Sequence, residues 1–175
     1  MSNQRSIYKV VDYRLAKVSE LNELKSLLWK YGPNEWNYLT QEGVKGEFAL
    51  IEQKDAEALV ALDGEQIVGF AVLINGSVSP DYLSQYCSLD KMAFIGDVVV
   101  SSSYSGKGIA TQLLINSIDL AKAKGVEFVL IERHEENLAS AGMMKKAGFS
   151  IVDIFYDPHK RSAGSQNSVI LSVSI

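Results

Sequence analysis

Apolar residues recur along the chain with two different periods. In residues 20–31 they fall at Leu21, Leu24, Leu27 and Leu28, the spacing of one helical face, with Ser19 placed to cap the start. Gly32, Pro33 and Asn34 then stop that helix. Residues 8–16 alternate loosely and predict a first strand. Residues 35–54 are less periodic and predict a loop carrying Trp36 and Tyr38, then a short helix near 48–53. Residues 56–62 and 66–74 are β-rich runs separated by Asp63, Gly64 and Glu65, a strong hairpin signal. Residues 75–91 read as a long loop. A buried strand over 92–100 ends in Asp97, Val98, Val99 and Val100. A serine- and glycine-rich turn follows, then a helix over 108–124 with Ala110, Leu113, Leu114, Ile118 and Ala121 on one face, stopped by Gly125. A strand over 126–132, a helix over 137–147 ended by Gly148, and strands over 149–156 and 168–173 complete the chain.

Strands and helices alternate in the second half, which predicts an α/β sheet with some parallel pairing. The hairpin makes the first part antiparallel, so the sheet is expected to be mixed. There is no internal repeat, low-complexity tract or linker, and residues 1–175 are expected to form one domain.

Composition narrows the function classes. Hydrophobic residues are 47% and charged residues 22% of the 175, ordinary globular usage. No apolar run approaches the ~20 residues that cross a bilayer, and Met1 to Arg5 open no signal peptide. A net charge of −4 gives no global pull on nucleic acid or membranes. With Cys87 alone there is neither a disulfide nor a multi-cysteine metal site, and a reducing cytoplasm is expected. No metal is expected.

The informative chemistry lies in residues 98–110. A strand runs into a glycine-containing turn that opens a helix. The first helical amides lack internal partners and sit at the positive end of the dipole. Glycines allow positive φ and close approach of a ligand. Ser105, Gly106, Lys107, Gly108, Ile109 and Ala110 therefore form a candidate phosphate cradle. A Walker loop is absent, and a dinucleotide fingerprint lacks its third glycine.

The run from Asp97 through Gly106, Lys107, Gly108, Ile109 and Ala110 resembles the pyrophosphate motif of the GNAT superfamily of acyl-CoA N-acyltransferases, Arg/Gln-x-x-Gly-x-Gly/Ala. A second stretch, Asn137 with Met143, Met144, Lys145, Lys146, Ala147, Gly148 and Phe149, resembles the family's Asn-(x)6-Tyr-x-Lys-x-Gly-Phe at the right distance. The resemblance covers roughly residues 63–156. It implies a mixed, mostly antiparallel sheet with helices on both faces, and acetyl-CoA as cosubstrate. It also implies that Val98, Val99 and Val100 hold the pantetheine arm and that Asn137 joins the cofactor site. Two positions depart from the motif. Ser105 stands where the family has Arg or Gln, and Met144 stands where many members have the tyrosine that protonates the departing thiolate; methionine cannot donate a proton.

The implied reaction is direct attack of a primary amine, from a small molecule or peptide, on the thioester in a ternary complex. A base must take the amine's proton. Asp97 and Glu132, on the two strands that splay in this family, are the candidates, with His134 expected on the loop beyond as a weaker one. Tyr156, on the next strand, is a candidate replacement for the missing acid, against the reading of an ordinary core or surface tyrosine. Cys87 has no adjacent activating group and reads as structural. Trp36, Tyr38, Tyr82 and Tyr86 flank the segments that line the acceptor site. The run Asp97, Val98, Val99 and Val100 also resembles the hexosamine-phosphate acetyltransferase branch, although Gly96 and Asp97 stand where that branch has Glu-Asp, and that branch keeps the tyrosine. A catalytically impaired CoA-binding module is the alternative to an active enzyme. The acceptor amine, acyl length and oligomeric state, including a homodimer, stay open.

Overall fold

A computed structural model describes residues 10–175, so the start of the first expected strand lies outside the described residues. Among the described residues, seven strands form one sheet: β1 (Asp12–Leu15), β2 (Ala56–Asp63), β3 (Gln66–Asn75), β4 (Met92–Val100), β5 (Phe128–His134), β6 (Ser150–Tyr156) and β7 (Asn167–Ser174). Their order is β1-β2-β3-β4-β5-β7-β6. The β4–β5 pair is parallel and the other neighbours are antiparallel.

Among the described residues, four α-helices cover the two faces: α1 (Leu21–Tyr31), α2 (Gln41–Glu52), α3 (Ile109–Ala123) and α4 (Leu138–Lys146). Leu21, Leu24 and Leu28 of α1 and Val44 and Phe48 of α2 pack on Phe70, Val72, Phe94 and Leu130. On the other face Leu114 and Ala121 of α3 and Met144 of α4 pack on Leu73, Ile95, Val129 and Ile131. Each strand thus sends alternate side chains to opposite helical layers. The mixed sheet with helices on both faces is the expected one.

Four local expectations are corrected. Ser19 does not cap α1; it sits inside a 3-10 turn, and the Glu20 carboxylate accepts instead from the Lys17 amide. The short helix near 48–53 is a full helix, α2, capped by Thr40, whose Oγ1 accepts from Gly43 N. Gly43 and Gly46 depress helix propensity and hid its first turns. The 75–91 loop contains 3-10 turns at Gly76–Val78, Asp81–Gln85 and Leu89–Lys91. His134 is the last residue of β5 rather than a loop residue.

One irregularity positions the site. β3 and β4 pair as Leu73↔Ile95 and then Ala71↔Val98, leaving one extra residue on β4 at Gly96 and Asp97. Such a bulge bends the strand and re-aims a side chain. The β4–β5 pairing stops at the same level, at Ile95↔Ile131. The two parallel strands diverge from there.

Candidate active site

The divergence of β4 and β5 opens a cleft. Residues 96–100 wall one side, 131–134 the other, and Asn137, Met143 and Met144 of the α4 segment close one end, with Tyr31 and Trp36 nearby. Asp97, Glu132, Val98, Val99, Val100 and Asn137 are therefore brought together. The turn containing Ser105, Gly106, Lys107 and Gly108 leads from the end of β4 into Ile109 and Ala110 at the head of α3.

That turn has the backbone expected of a cradle. Gly106 and Gly108 hold φ of +74° and +76°, and a Cβ on either meets nothing within 4 Å. Gly108 is the N-cap of α3 and supplies no side-chain cap, so the first amides of the helix are left for a ligand. Ser105 Oγ donates to Ser102 O at 2.8 Å, so this hydroxyl is spent inside the turn. Lys107 Nζ lies 5.1 Å from the centre of the Tyr104 ring, and Tyr104 Oη donates to Asp63 Oδ2 at 2.5 Å. The hairpin predicted from Asp63 and Gly64 is thereby tied to the cradle.

Asp97 does not stand alone. The Glu47 carboxyl from α2 lies against the bulge: a Cβ on Gly96 would come within 2.7 Å of Glu47 Oε1 and 2.9 Å of Ile74 Cδ1, so a larger residue there would push these side chains aside. Glu47 Oε1 is buried and accepts no hydrogen bond within the protein. Burial, then the hydrogen bond and charge of Asp97, push the Glu47 pKa well above the usual carboxyl value. A groove lined by Tyr38, Leu50, Val78, Asp81 and Phe94 runs between α2 and the Asp81–Gln85 turn to the same Gly96 and Asp97. Sequence reasoning missed Glu47 because α2 was read too short; the Val44 and Phe48 spacing was the signal available.

Because the folded protein holds the Glu47 proton more tightly than the unfolded chain, ionising Glu47 opposes folding. The folded state loses this advantage as pH rises above the unfolded value of about 4.3. Glu47→Gln is therefore expected to melt higher than the parent at pH 8 and to lose that gain toward pH 4. Thermal unfolding across that range measures it, and a variant that melts lower than the parent at pH 8 refutes the assignment.

Glu132 is differently placed. Its side chain is 3% exposed and bound by Arg161 Nη2 at 3.3 Å, Lys160 Nζ at 3.0 Å and the Tyr82 hydroxyl. Arg161 also donates to Ser168 Oγ at 2.9 Å and Trp36 O at 3.5 Å. His134 is 1% exposed; its Nδ1 accepts from Glu136 N at 2.9 Å and its Nε2 lies 2.7 Å from Ala163 O. An accepting Nδ1 and a donating Nε2 define a neutral ring with no free lone pair for substrate. Trp36 packs on that ring at 4.7 Å. Tyr86 Oη donates to Asp153 Oδ2 at 2.6 Å. Tyr38 is exposed in the groove, and Tyr156 is exposed on β6 with its hydroxyl on Gln166. Cys87 is half-buried, and burial pushes its thiol up. Asn137 caps α4, its Oδ1 accepting from Ser140 N at 3.2 Å. Met144 is buried against Ile131 and Phe149.

Among the described residues, no group of three or more His, Cys, Asp or Glu side chains could hold a metal ion, and no helix is long and apolar enough to cross a membrane.

The acetyltransferase (GNAT) family model matches residues 21–149, and the chain belongs to that family. Over 92 residues it is 27% identical to N-alpha-acetyltransferase 30 of Schizosaccharomyces pombe; the match spans 53% of this chain and 56%, about half, of that relative. The fold is shared with ribosomal-protein-alanine N-acetyltransferase from Brucella melitensis (TM-score 0.72, 18% identity, 94% of this chain and 99% of that one). It is also shared with a Bacillus subtilis acetyltransferase solved in complex with CoA (TM-score 0.69, 19% identity, 95% and 99%).

Proposed function

We propose that this chain, acting as one domain, transfers an acetyl group from acetyl-CoA to a primary amine by direct attack in a ternary complex. Asp97 accepts the amine's proton, with Glu47 behind it. The observation that carries this reading is the carboxyl pair at the bulge, where the β4–β5 cleft meets the α2 groove. Glu42, Asp81 and Asp97 line the groove against one cation, Lys160, which is itself paired with Glu132, so the acceptor is a cationic amine of a small molecule or a peptide.

The pyrophosphate of acetyl-CoA sits on the amides of 105–110, with Lys107 adding a screened charge. Val98, Val99 and Val100 hold the pantetheine arm, and Asn137 fixes the start of α4 beside it. Bound there, acetyl-CoA supplies an activated acyl group. Glu132 has its lone pairs engaged by Arg161, Lys160 and Tyr82, so it anchors the acceptor loops, and Asp97 remains the better-placed base.

Met144, apolar and buried where the family's tyrosine acid stands, favours a second reading: a module that binds CoA without turnover. Thiol release from acetyl-CoA with a panel of peptide and small cationic amines, beside calorimetric binding of CoA, separates the two. We expect CoA binding and thiol release that depends on the amine, with intersecting rather than parallel kinetic lines and no acetyl adduct on Cys87. Binding without release across the panel selects the module.

A further inference from the structure

We propose that Arg133 stabilises the thiolate of the departing CoA, replacing the proton donor that Met144 cannot supply. This rests on the acetyl-transfer reading above.

Strand alternation sorts β5 into two faces. Leu130 packs with the α1–α2 layer, Glu132 reaches Tyr82, and His134 stacks on Trp36. Val129 and Ile131 pack with the α3–α4 layer, and Arg133 follows them in register. The glycine turn opens α3 in that second layer, so Arg133 is on the cosubstrate's side and Asp97 and Glu132 on the acceptor's. Arg133 also lies past the last β4–β5 pair, in the opened stretch, and lines the cleft together with Ser140, Met143 and Met144.

Its guanidinium is held but not neutralised. Arg133 is 9% exposed, and Nη1 donates to His134 O at 3.1 Å and Glu135 O at 2.8 Å. Nε is buried with no hydrogen-bond partner. Among the described residues no carboxylate lies within ion-pairing distance; Glu135, whose charge it feels, has its own carboxylate bound by Asn167 Nδ2 at 2.6 Å. A buried cation without a counter-charge is unfavourable unless a ligand supplies one. Pre-aimed charge is most effective where the transition state develops the opposite sign.

The step balances. The amine nitrogen attacks the thioester carbonyl, the C–N bond forms, and the C–S bond breaks with its electron pair left on sulfur. The amine proton passes to the Asp97 carboxylate. The sulfur leaves as a thiolate paired with Arg133 and takes a proton from water after release. The other charges around the cleft do not compete for this role. Asp97 and Glu132 face the acceptor layer, Arg161 is paired with Glu132 and bonded to Ser168, His134 is a neutral hydrogen-bonded ring, Glu135 is tied to Asn167, and Lys145 and Lys146 of α4 are exposed. The first two turns of α3 carry no charge.

The test reads the thiolate's ultraviolet absorption in CoA bound to the full chain, titrated over pH beside free CoA. Free CoA ionises near the ordinary thiol value of roughly 8.5. Bound to the parent it is expected to ionise at least about one pH unit lower, a tenfold stabilisation of the thiolate. Arg133→Met is expected to lose that shift while still binding CoA, and to lose kcat with little change in KM for the amine. Arg133→Lys, which keeps a charge, retains part of the shift. A parent whose bound CoA titrates like free CoA, or a Met variant that keeps the shift, overturns the proposal. If the Met variant fails to fold, the parent titration and the Lys variant decide. Failure of the parent to bind CoA at all would instead overturn the acetyl-CoA reading itself.

Discussion

Asp97→Asn is expected to lower turnover by ~10²–10⁴-fold, the usual worth of a positioned general base, while leaving CoA affinity within about threefold of the parent, well under 1.4 kcal/mol. The amide keeps the shape of the carboxylate at the bulge but cannot accept a proton. The variant then acts only on the fraction of amine already neutral. Its remaining rate should climb with pH up to the amine's own pKa. Steady-state turnover from pH 6 to 10 for both proteins measures this. An Asn variant within threefold of the parent would remove Asp97 from the chemistry and return attention to Glu132.

Gly108→Val is the second large effect. Gly108 sits at φ +76° as the N-cap of α3, a conformation that a β-branched residue adopts only under strain of about 1–3 kcal/mol. A Cβ at this position meets nothing within 4 Å, so the added bulk points into the open space that a phosphate would approach. The expected result is a folded protein, melting a few degrees lower, whose CoA affinity falls by at least about tenfold, or 1.4 kcal/mol. Calorimetric titration with CoA checks it. Gly108→Ala, with less bulk at the same backbone angle, should fall between. Unchanged affinity in a folded Val variant would show that the phosphates sit elsewhere.

How much of this was readable before the structure depends on whether the signal was local. The strand ending at Val100, the turn at Gly106 and Gly108, and the helix after it are consecutive in sequence, and each follows from backbone preferences over a few residues. The hairpin at Gly64 is legible for the same reason. Asp97 and Glu132 also stood out, because each is an acidic residue in one of the two apolar strand segments that the family resemblance places at the site. What separates them was not legible. Glu47 reaches Asp97 from a helix fifty residues away, and Tyr82, Lys160 and Arg161 converge on Glu132 from two distant loops. The bulge that turns Asp97 toward α2 is visible only as a register shift against β3. Arg133 carries no signal in the sequence, where it is one charged residue beyond an apolar run; its burial and unpartnered Nε set it apart. His134 was misplaced by a boundary error of two residues at the end of β5.

The convergence on Glu132 has a consequence for how acceptor preference can change over evolutionary time. One carboxylate fastens the Asp81–Gln85 turn through Tyr82 and the β6–β7 connection through Lys160 and Arg161. Arg161 reaches on to the α1–α2 connection at Trp36. A substitution that reshapes one of these walls shifts the anchor point of the other two. Drift toward a new amine is therefore expected to proceed by sets of compensating changes spread over three distant stretches of chain, with single replacements in any one of them selected against.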